Sequence, residues 1–401
     1  MKIRAVTFFC QPGWPINRTL LGHAGIFSRH AQAEFMKAGF EVQSLRMATP
    51  AFTRWFPQGD WAQIANILAI ETHAEGFEYL SLGPIPLNET QFYEHIPLLL
   101  SASKGLFISG SLTEGRNLSL AAAKACAQTI HQLAMLEEGG FANLRFAALA
   151  NVAPYAPFFP AAHAAPGKPA FALALEAADL AVQSFTSAKS LSEARESLIR
   201  SIESHAARLE TIGNKLASIY HYDFRGLDFT LAPTPSHSGS IATALEALGL
   251  PAFGLHGSLF ASTFLTDTLD KASYKRTGFN GLMLPVLEDA GLADRSAEGT
   301  LTTQNLLLNS AVCGTGLDVI PLPGDVSEEQ LYAVLLDVGA LALRLNKPLT
   351  ARLMPIPGKW AGEKTDFQFD YFANAAILGL PAQPLNGLLN GDEETPLNPK
   401  N

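Results

Sequence analysis

Short runs of apolar, β-branched and aromatic residues recur along the chain, separated by longer stretches whose apolar positions fall every three or four residues. The short runs are "KIRAVTFF" (2–9), "FEYLSLG" (77–83), "GLFISG" (105–110), "NLRFAALA" (143–150), "LDFTLAP" (227–233), "GLMLPVL" (281–287), "LDVIPL" (317–322) and "LTARLMPI" (349–356). Continuous apolar runs of this length predict strands covered on both faces, as in parallel sheets. The longer spacing predicts helices over 18–38, 60–73, 117–136, 188–219, 239–248 and 327–345, with weaker signals at 91–101, 258–270 and 301–311. The clearest is 188–219, where Leu191, Ala194, Leu198, Ile202, Ala206, Leu209, Ile212, Leu216 and Ile219 line one stripe. At 1.5 Å per residue it spans roughly 45 Å, long enough to brace a barrel or a homo-oligomer interface. Strands alternating this regularly with helices predict an α/β fold with mainly parallel strands.

Two segments break the alternation. "APYAPFFPAAHAAPGKP" (153–169) is an Ala/Pro-rich loop of a length more typical of functional loops than of plain connectors. Beyond about 380 the periodicity is lost, so the chain reads as one α/β domain over 1–380 and a loosely ordered tail over 381–401.

Composition narrows the function classes. The 401 residues are 48% hydrophobic and 16% charged, which supplies a large core and excludes wholesale disorder. Twenty-eight basic against 37 acidic side chains leave a formal charge of -9, with no dense basic cluster, so nucleic acid is not an expected partner. No run approaches the roughly 18 apolar residues of a membrane span. Cys10, Cys126 and Cys313 are few, odd in number and far apart, which suits a reducing compartment. The apolar run at the N-terminus is too short for a signal peptide. A cytoplasmic location is the expectation.

Candidate chemistry concentrates in the C-terminal half, in loops that follow strands. "SAVCGTGLDVIPLPGD" (310–325) carries Cys313 into two glycines and then Asp318. Cysteine at such a place is either a small buried hydrophobe or a nucleophile. "GFNGLMLPVLEDAG" ends in Glu288 and Asp289, adjacent acids of which one can reach an interior site and the other cap the next turn. Arg352 inside an apolar strand must be paired or face a polar cavity, because burying its charge alone is prohibitive; Asp318 and Glu288 are the expected partners. His237 in "LAPTPSHSGS", His256 between two glycines, and Lys359 in a Pro-Gly turn are candidate ligand contacts. No P-loop, dinucleotide fingerprint, His-Glu-x-x-His or nucleophile elbow occurs, so the motifs name no cofactor and no metal.

The blocks "NVAPYAPFFPAAH", "LAPTPSHSGSIATALEALG", "GFNGLMLPVLED", "CGTGLDVIPLPGD" and "PLTARLMPIPGK" resemble the domain of unknown function 711 family, also called uncharacterised protein family 0210. The resemblance implies a pyruvate formate-lyase-like fold, a closed α/β barrel of about ten mainly parallel strands with outer helices and a loop entering the barrel. It implies no established reaction. "SYKRTGFNG" (273–281) loosely resembles the glycine loop of glycyl radical enzymes, with Gly278 at the radical position. Lys275 and Phe279 depart from that pattern, and Gly278 precedes Cys313 where the radical glycine should follow the cysteine, so no radical is expected. The functional expectation is a small anionic metabolite held inside the barrel. Cys313, Asp318 and Glu288 would do catalysis, and Arg352, Lys359, His256 and His237 would bind the substrate. The alternative is a metabolite-binding or regulatory protein using the same cavity without turnover.

Overall fold

Side-chain size along each strand decides what can cover each face of the sheet, and here the two faces differ sharply. The computed structural model describes residues 1–400. In chain order the strands are β1 (Lys2–Phe9), β2 (Leu45–Ala48), β3 (Tyr79–Ile85), β4 (Leu106–Ser111), β5 (Thr113–Glu114) and β6 (Asn117–Ser119). They continue with β7 (Phe146–Ala150), β8 (Ala170–Glu176), β9 (Asp223–Ala232), β10 (Gly316–Pro323), β11 (Leu349–Ile356) and β12 (Glu394–Pro396). The helices are α1 (Arg18–Lys37), α2 (Trp61–Ala74), α3 (Ile96–Ala102), α4 (Leu120–Ala134), α5 (Ala178–Ser187) and α6 (Leu191–Tyr220). After them come α7 (Ile241–Glu246), α8 (Ser258–Lys271), α9 (Ala290–Ala297), α10 (Thr303–Ser310) and α11 (Glu328–Arg344).

One nine-stranded sheet runs in the order β10-β11-β7-β4-β3-β2-β1-β8-β9. Its five middle strands, β7 to β1, are mutually parallel. The flanking pairs β10-β11 and β8-β9 are each parallel within themselves and antiparallel to the middle set. The expected α/β class with mainly parallel strands is therefore present, as a mixed sheet.

β8 shows how the faces are divided. In "AFALALE", Phe171, Leu173 and Leu175 enter the main core, while Ala170, Ala172 and Ala174 face the other way. On the bulky face lie the helices, with Phe27 and Phe35 of α1, Leu68 of α2, Ile130 of α4 and Leu198 of α6 in the same core. On the alanine face there is room for backbone, and the loop 151–169 runs there. Thr7 Oγ1 donates to Pro157 O at 2.8 Å, Ser81 Oγ donates to Ala162 O at 2.7 Å, and Ala164 N donates to Thr49 O at 3.1 Å. These bonds satisfy loop carbonyls and amides that burial would otherwise strand.

Several expected boundaries move, each for a local reason. β8 and β2 lie outside every expected strand: β8 is alanine-rich and β2 is only four residues long. The helix expected from 117 starts at Leu120, because Asn117–Ser119 pairs as β6 and the Ser119 side chain caps the helix by accepting from Ala122 N. α6 extends to Tyr220, with Ser190 capping its start, and α5 precedes it as a separate, unexpected helix. α9 is likewise unexpected. The 239–248 helix shortens to α7.

The largest correction concerns 281–287. It is not a ladder strand. Pro285, which lacks an N–H, makes a single parallel bridge to Asp318, and Val286 N donates to Asp318 O at 3.3 Å. Ten residues earlier, Leu227 N donates to Lys275 O at 2.8 Å and Thr277 N donates to Leu227 O at 3.1 Å. The segment 275–286 thus touches both edge strands of the sheet, β9 and β10. Its tip is held by the buried Asp228 carboxylate, which accepts from Phe279 N at 2.8 Å and Asn280 N at 2.9 Å. Gly278 (φ +74) lies where an added Cβ would meet that carboxylate at 2.1 Å. Near the C-terminus, β12 pairs antiparallel with β6, and Lys400 N donates to Arg344 O at 3.0 Å.

Candidate functional site

Five strand or near-strand side chains form a buried ion ladder. Arg352 Nε, from β11, donates to Asp318 Oδ1 of β10 at 2.7 Å, and its Nη2 donates to Glu288 Oε1 at 3.1 Å. Glu288 Oε2 in turn accepts from Arg4 Nη2 of β1 at 2.5 Å, and Arg4 Nη1 reaches Glu176 Oε2 of β8 at 3.4 Å. Glu176, Glu288, Asp318 and Arg352 are all buried. Desolvation alone would make such charges prohibitive, and only mutual pairing retains them.

Local backbone aims this ladder. β10 has a register shift between Leu317 and Ile320, and Val319 within it takes φ +46, a region a β-branched residue rarely occupies. Ordinary alternation sends Leu317 and Val319 into the helix-side core and Asp318 to Arg352, and the bulge then turns Ile320 to the same side as Val319, so that the core face is kept beyond it. The adjacent acids Glu288 and Asp289 also diverge. Glu288 joins the arginines, while Asp289 accepts from Ser240 Oγ and Ile241 N, both at 2.6 Å, and from Leu292 N at 3.0 Å, capping α7 and α9.

The carboxylates are not equivalent. Burial works to raise Glu288, but Arg4 and Arg352 together hold it below the ordinary range. Asp318 is raised by burial, with only Arg352 opposing strongly, and Glu288 beside it adds to the rise. Glu288 touches two guanidinium groups and Asp318 one, so a proton entering the pair goes to Asp318. Glu176 is also raised, by burial, against the pull of Arg4.

Beside the ladder lies a cavity of about 310 Å³, with Arg4, Glu288 and Arg352 in one wall. A third arginine, Arg46 of β2, faces it too. Arg46 Nε donates to Ser44 Oγ at 2.9 Å, and Arg46 has no carboxylate partner among the described residues. Its Cζ sits 5.3 Å from the Phe159 ring centre and 5.5 Å from that of Tyr79. Burial, with Arg4 nearby, lowers its pKa to about 10, which leaves it charged at neutral pH. Phe107 joins Tyr79 and Phe159 in the apolar wall, and Phe141, Phe369 and Tyr371 form a lip. At the rim Glu137 is shared by Lys104, at 2.6 Å, and Arg145.

Of the candidate residues read from the sequence, the structure brings Glu288, Asp318 and Arg352 together. It does not bring the others to them. Cys313 is buried in the helix-side core, its Sγ accepting from Gly316 N at 3.3 Å, and it lines neither this cavity nor the small void of about 20 Å³ beside Asp318. His256 is exposed ahead of α8. His237 is exposed and lies 3.4 Å from Asp294, and Lys359 pairs with Asp366 at 3.3 Å. Arg4, Arg46 and Glu176 escape a reading based on loops after strands, because they lie within β1, β2 and β8 themselves. Arg46, Tyr79 and Phe107 instead stand at the first or second position of β2, β3 and β4, so the cavity opens where the parallel strands begin. The signal that singled out Arg352, an arginine inside an apolar run, was present in "KIRAVTFF" and "SLRMA" too.

A family model described as Uncharacterised ACR (DUF711) matches residues 1–372. The chain belongs to this family. Among its DUF711 relatives, a UPF0210 protein of Pyrobaculum arsenaticum is 36% identical over 234 residues, covering 56% of this chain and 52% of the relative. One from Pyrobaculum islandicum is 30% identical over 302 residues, covering 73% and 66%, and one from Acetivibrio thermocellus is 29% identical over 303 residues, covering 73% and 67%. The chain thus spans between about half and two thirds of the length of these DUF711 relatives. The matched region contains every member of the ion ladder and Arg46.

Proposed function

We propose that this protein binds a small organic anion in the cavity beside the ion ladder, with Arg46 as the principal contact. The observation that carries this reading is the absence of a carboxylate partner for Arg46 inside an aromatic-walled cavity, next to two arginines that are each paired with carboxylates. A partly buried guanidinium without a counter-charge gains from any anion that can reach it. No cysteine or histidine lines the cavity, which supports binding over nucleophilic or imidazole-based catalysis there. We also infer that the segment 275–286 closes the sheet into a barrel, since it bridges to β9 at one end and to β10 at the other; the loop 151–169 would then occupy the barrel interior.

The test is thermal-shift screening against small carboxylates and phosphates, because a ligand that binds only the folded state raises its melting temperature. Anions that stabilise the protein and lose that effect in Arg46→Gln support the reading. Stabilisation that is the same in Arg46→Gln would place the anion elsewhere.

A further inference from the structure

We infer that the ligand of the cavity is an organic monocarboxylate carrying an apolar, ring-sized body, rather than a phosphate ester or a dicarboxylate. This rests on the cavity being an anion site, and it adds the class of anion.

Three features select one carboxylate. Arg4 spends its two terminal nitrogens on Glu176 and Glu288, and Arg352 spends Nε on Asp318, Nη2 on Glu288 and Nη1 on Leu144 O, so only Arg46 offers an open fork. Its Cζ lies within 5.5 Å of the Phe159 and Tyr79 ring centres and its Nε is spent on Ser44, which leaves the two terminal nitrogens, and that edge of a guanidinium matches a carboxylate through two parallel N–H···O bonds. A second negative charge would meet no further open guanidinium fork, and the carboxylates of Glu288 and Glu137 lie in the same lining. Phosphate groups are usually cradled by amides at a helix start, and none of the lining residues opens an α-helix.

The remainder of the lining selects the body. Beyond Arg46 the wall is ring surface, with Phe107, Phe158 and Phe159 on one side and Phe141, Phe369 and Tyr371 at the lip. A carboxylate with no body would leave that surface wet. At about 310 Å³ the cavity is at the lower end of the roughly 300–1,000 Å³ typical of small-molecule sites, so it suits one ring and a short linker. Offset and edge-on contacts between that ring and the phenyl walls add to simple burial.

Calorimetric titration of the full chain with four probes tests this: benzoate, acetate, phenyl phosphate and inorganic phosphate. Benzoate should bind at least about tenfold more tightly than the other three. Its affinity should drop at least about tenfold in Arg46→Gln and recover in part in Arg46→Lys, which restores charge without the fork. In Phe107→Leu, benzoate should weaken while acetate is unmoved. If acetate or the phosphates bind as well as benzoate and depend on Arg46, the anion site stands and the monocarboxylate assignment is overturned. If no probe binds in an Arg46-dependent way, both fail.

Discussion

Arg352 holds two carboxylates from different parts of the chain, and its loss would leave Asp318 and Glu288 buried with one partner between them. Arg352→Ala should therefore destabilise the protein by about 3–5 kcal/mol, read by urea denaturation. Arg46 is the contrasting case. No carboxylate depends on it, so Arg46→Gln should change stability by less than about 1 kcal/mol. A large loss there would mean that Arg46 is structural. Asp228 adds a pH signature. Burial raises its pKa from 3.8 to about 6, despite the hydrogen bonds from Thr230, Phe279 and Asn280 that favour the ion. A folded-state pKa above the unfolded value means a contribution that is complete below pH 3.8 and lost as pH rises through 6. At 1.36 kcal/mol per unit this is about 3 kcal/mol. The stability of the wild type relative to Asp228→Asn should fall by that amount between about pH 4 and pH 6.5. A difference that is flat, or that grows with pH, would show that the hydrogen bonds outweigh burial.

Elements meet here through their smallest residues. Ala170, Ala172 and Ala174 of β8 make space for the loop 151–169, and that loop brings Phe158 and Phe159 to the cavity. Ala172→Leu should cost about 1–3 kcal/mol through overpacking and should weaken anion binding at the same time, because the loop is displaced. Leu173→Ala, one residue away on the helix side, should cost about 2–5 kcal/mol through a cavity while leaving binding intact. Equal effects of the two on binding would contradict the division of faces. The segment 275–286 relies on a similar approach. A Cβ on Gly281 would lie 2.4 Å from Gly314 Cα, so Gly281→Ala should push the segment away from the turn that leads into β10. Amide hydrogen exchange should then speed up at Val286, whose N–H reaches Asp318 O.

At the scale of the molecule, the strand order interleaves distant parts of the sequence: β7 and β11 pair in the interior of the sheet, and β1 lies between β2 and β8. No cut in the chain separates two independent sheets. Heat or urea should produce one coincident transition by circular dichroism and by thiol exposure; two resolved steps would mean two units. The thiols report on this directly. All three are buried, and burial pushes Cys10 and Cys126 up to about 12, the latter against a hydrogen bond to Tyr93. An aromatic disulfide reagent at about pH 8 should find no fast-reacting thiol in the native protein and three after unfolding. A fast-reacting Cys313 would reopen a role for it in chemistry. Among the described residues no helix is long and apolar enough to cross a membrane.

Local pattern by itself determined a good deal. Apolar runs and three-to-four spacing located most strands and helices, including the stripe of α6, because burial on a strand or a helix face leaves its period in the sequence. Arg352 announced that it needed Asp318 or Glu288, since an apolar strand cannot hold a lone charge. An alanine-rich β8 and a four-residue β2 left too faint a pattern to be read. Tertiary structure alone decided which charges meet. Arg4, Arg46 and Glu176 come from positions far from Arg352 in sequence, on strands several places from β11 in the sheet, and Arg4 and Glu176 are joined to Arg352 by Glu288, which follows the segment that bridges to both edge strands. Tertiary structure also turned Cys313 toward the helices and opened the cavity at the starts of the parallel strands. Strand order is set by how all the faces pack at once. A contact that depends on that order leaves no period in the chain for a reader to find.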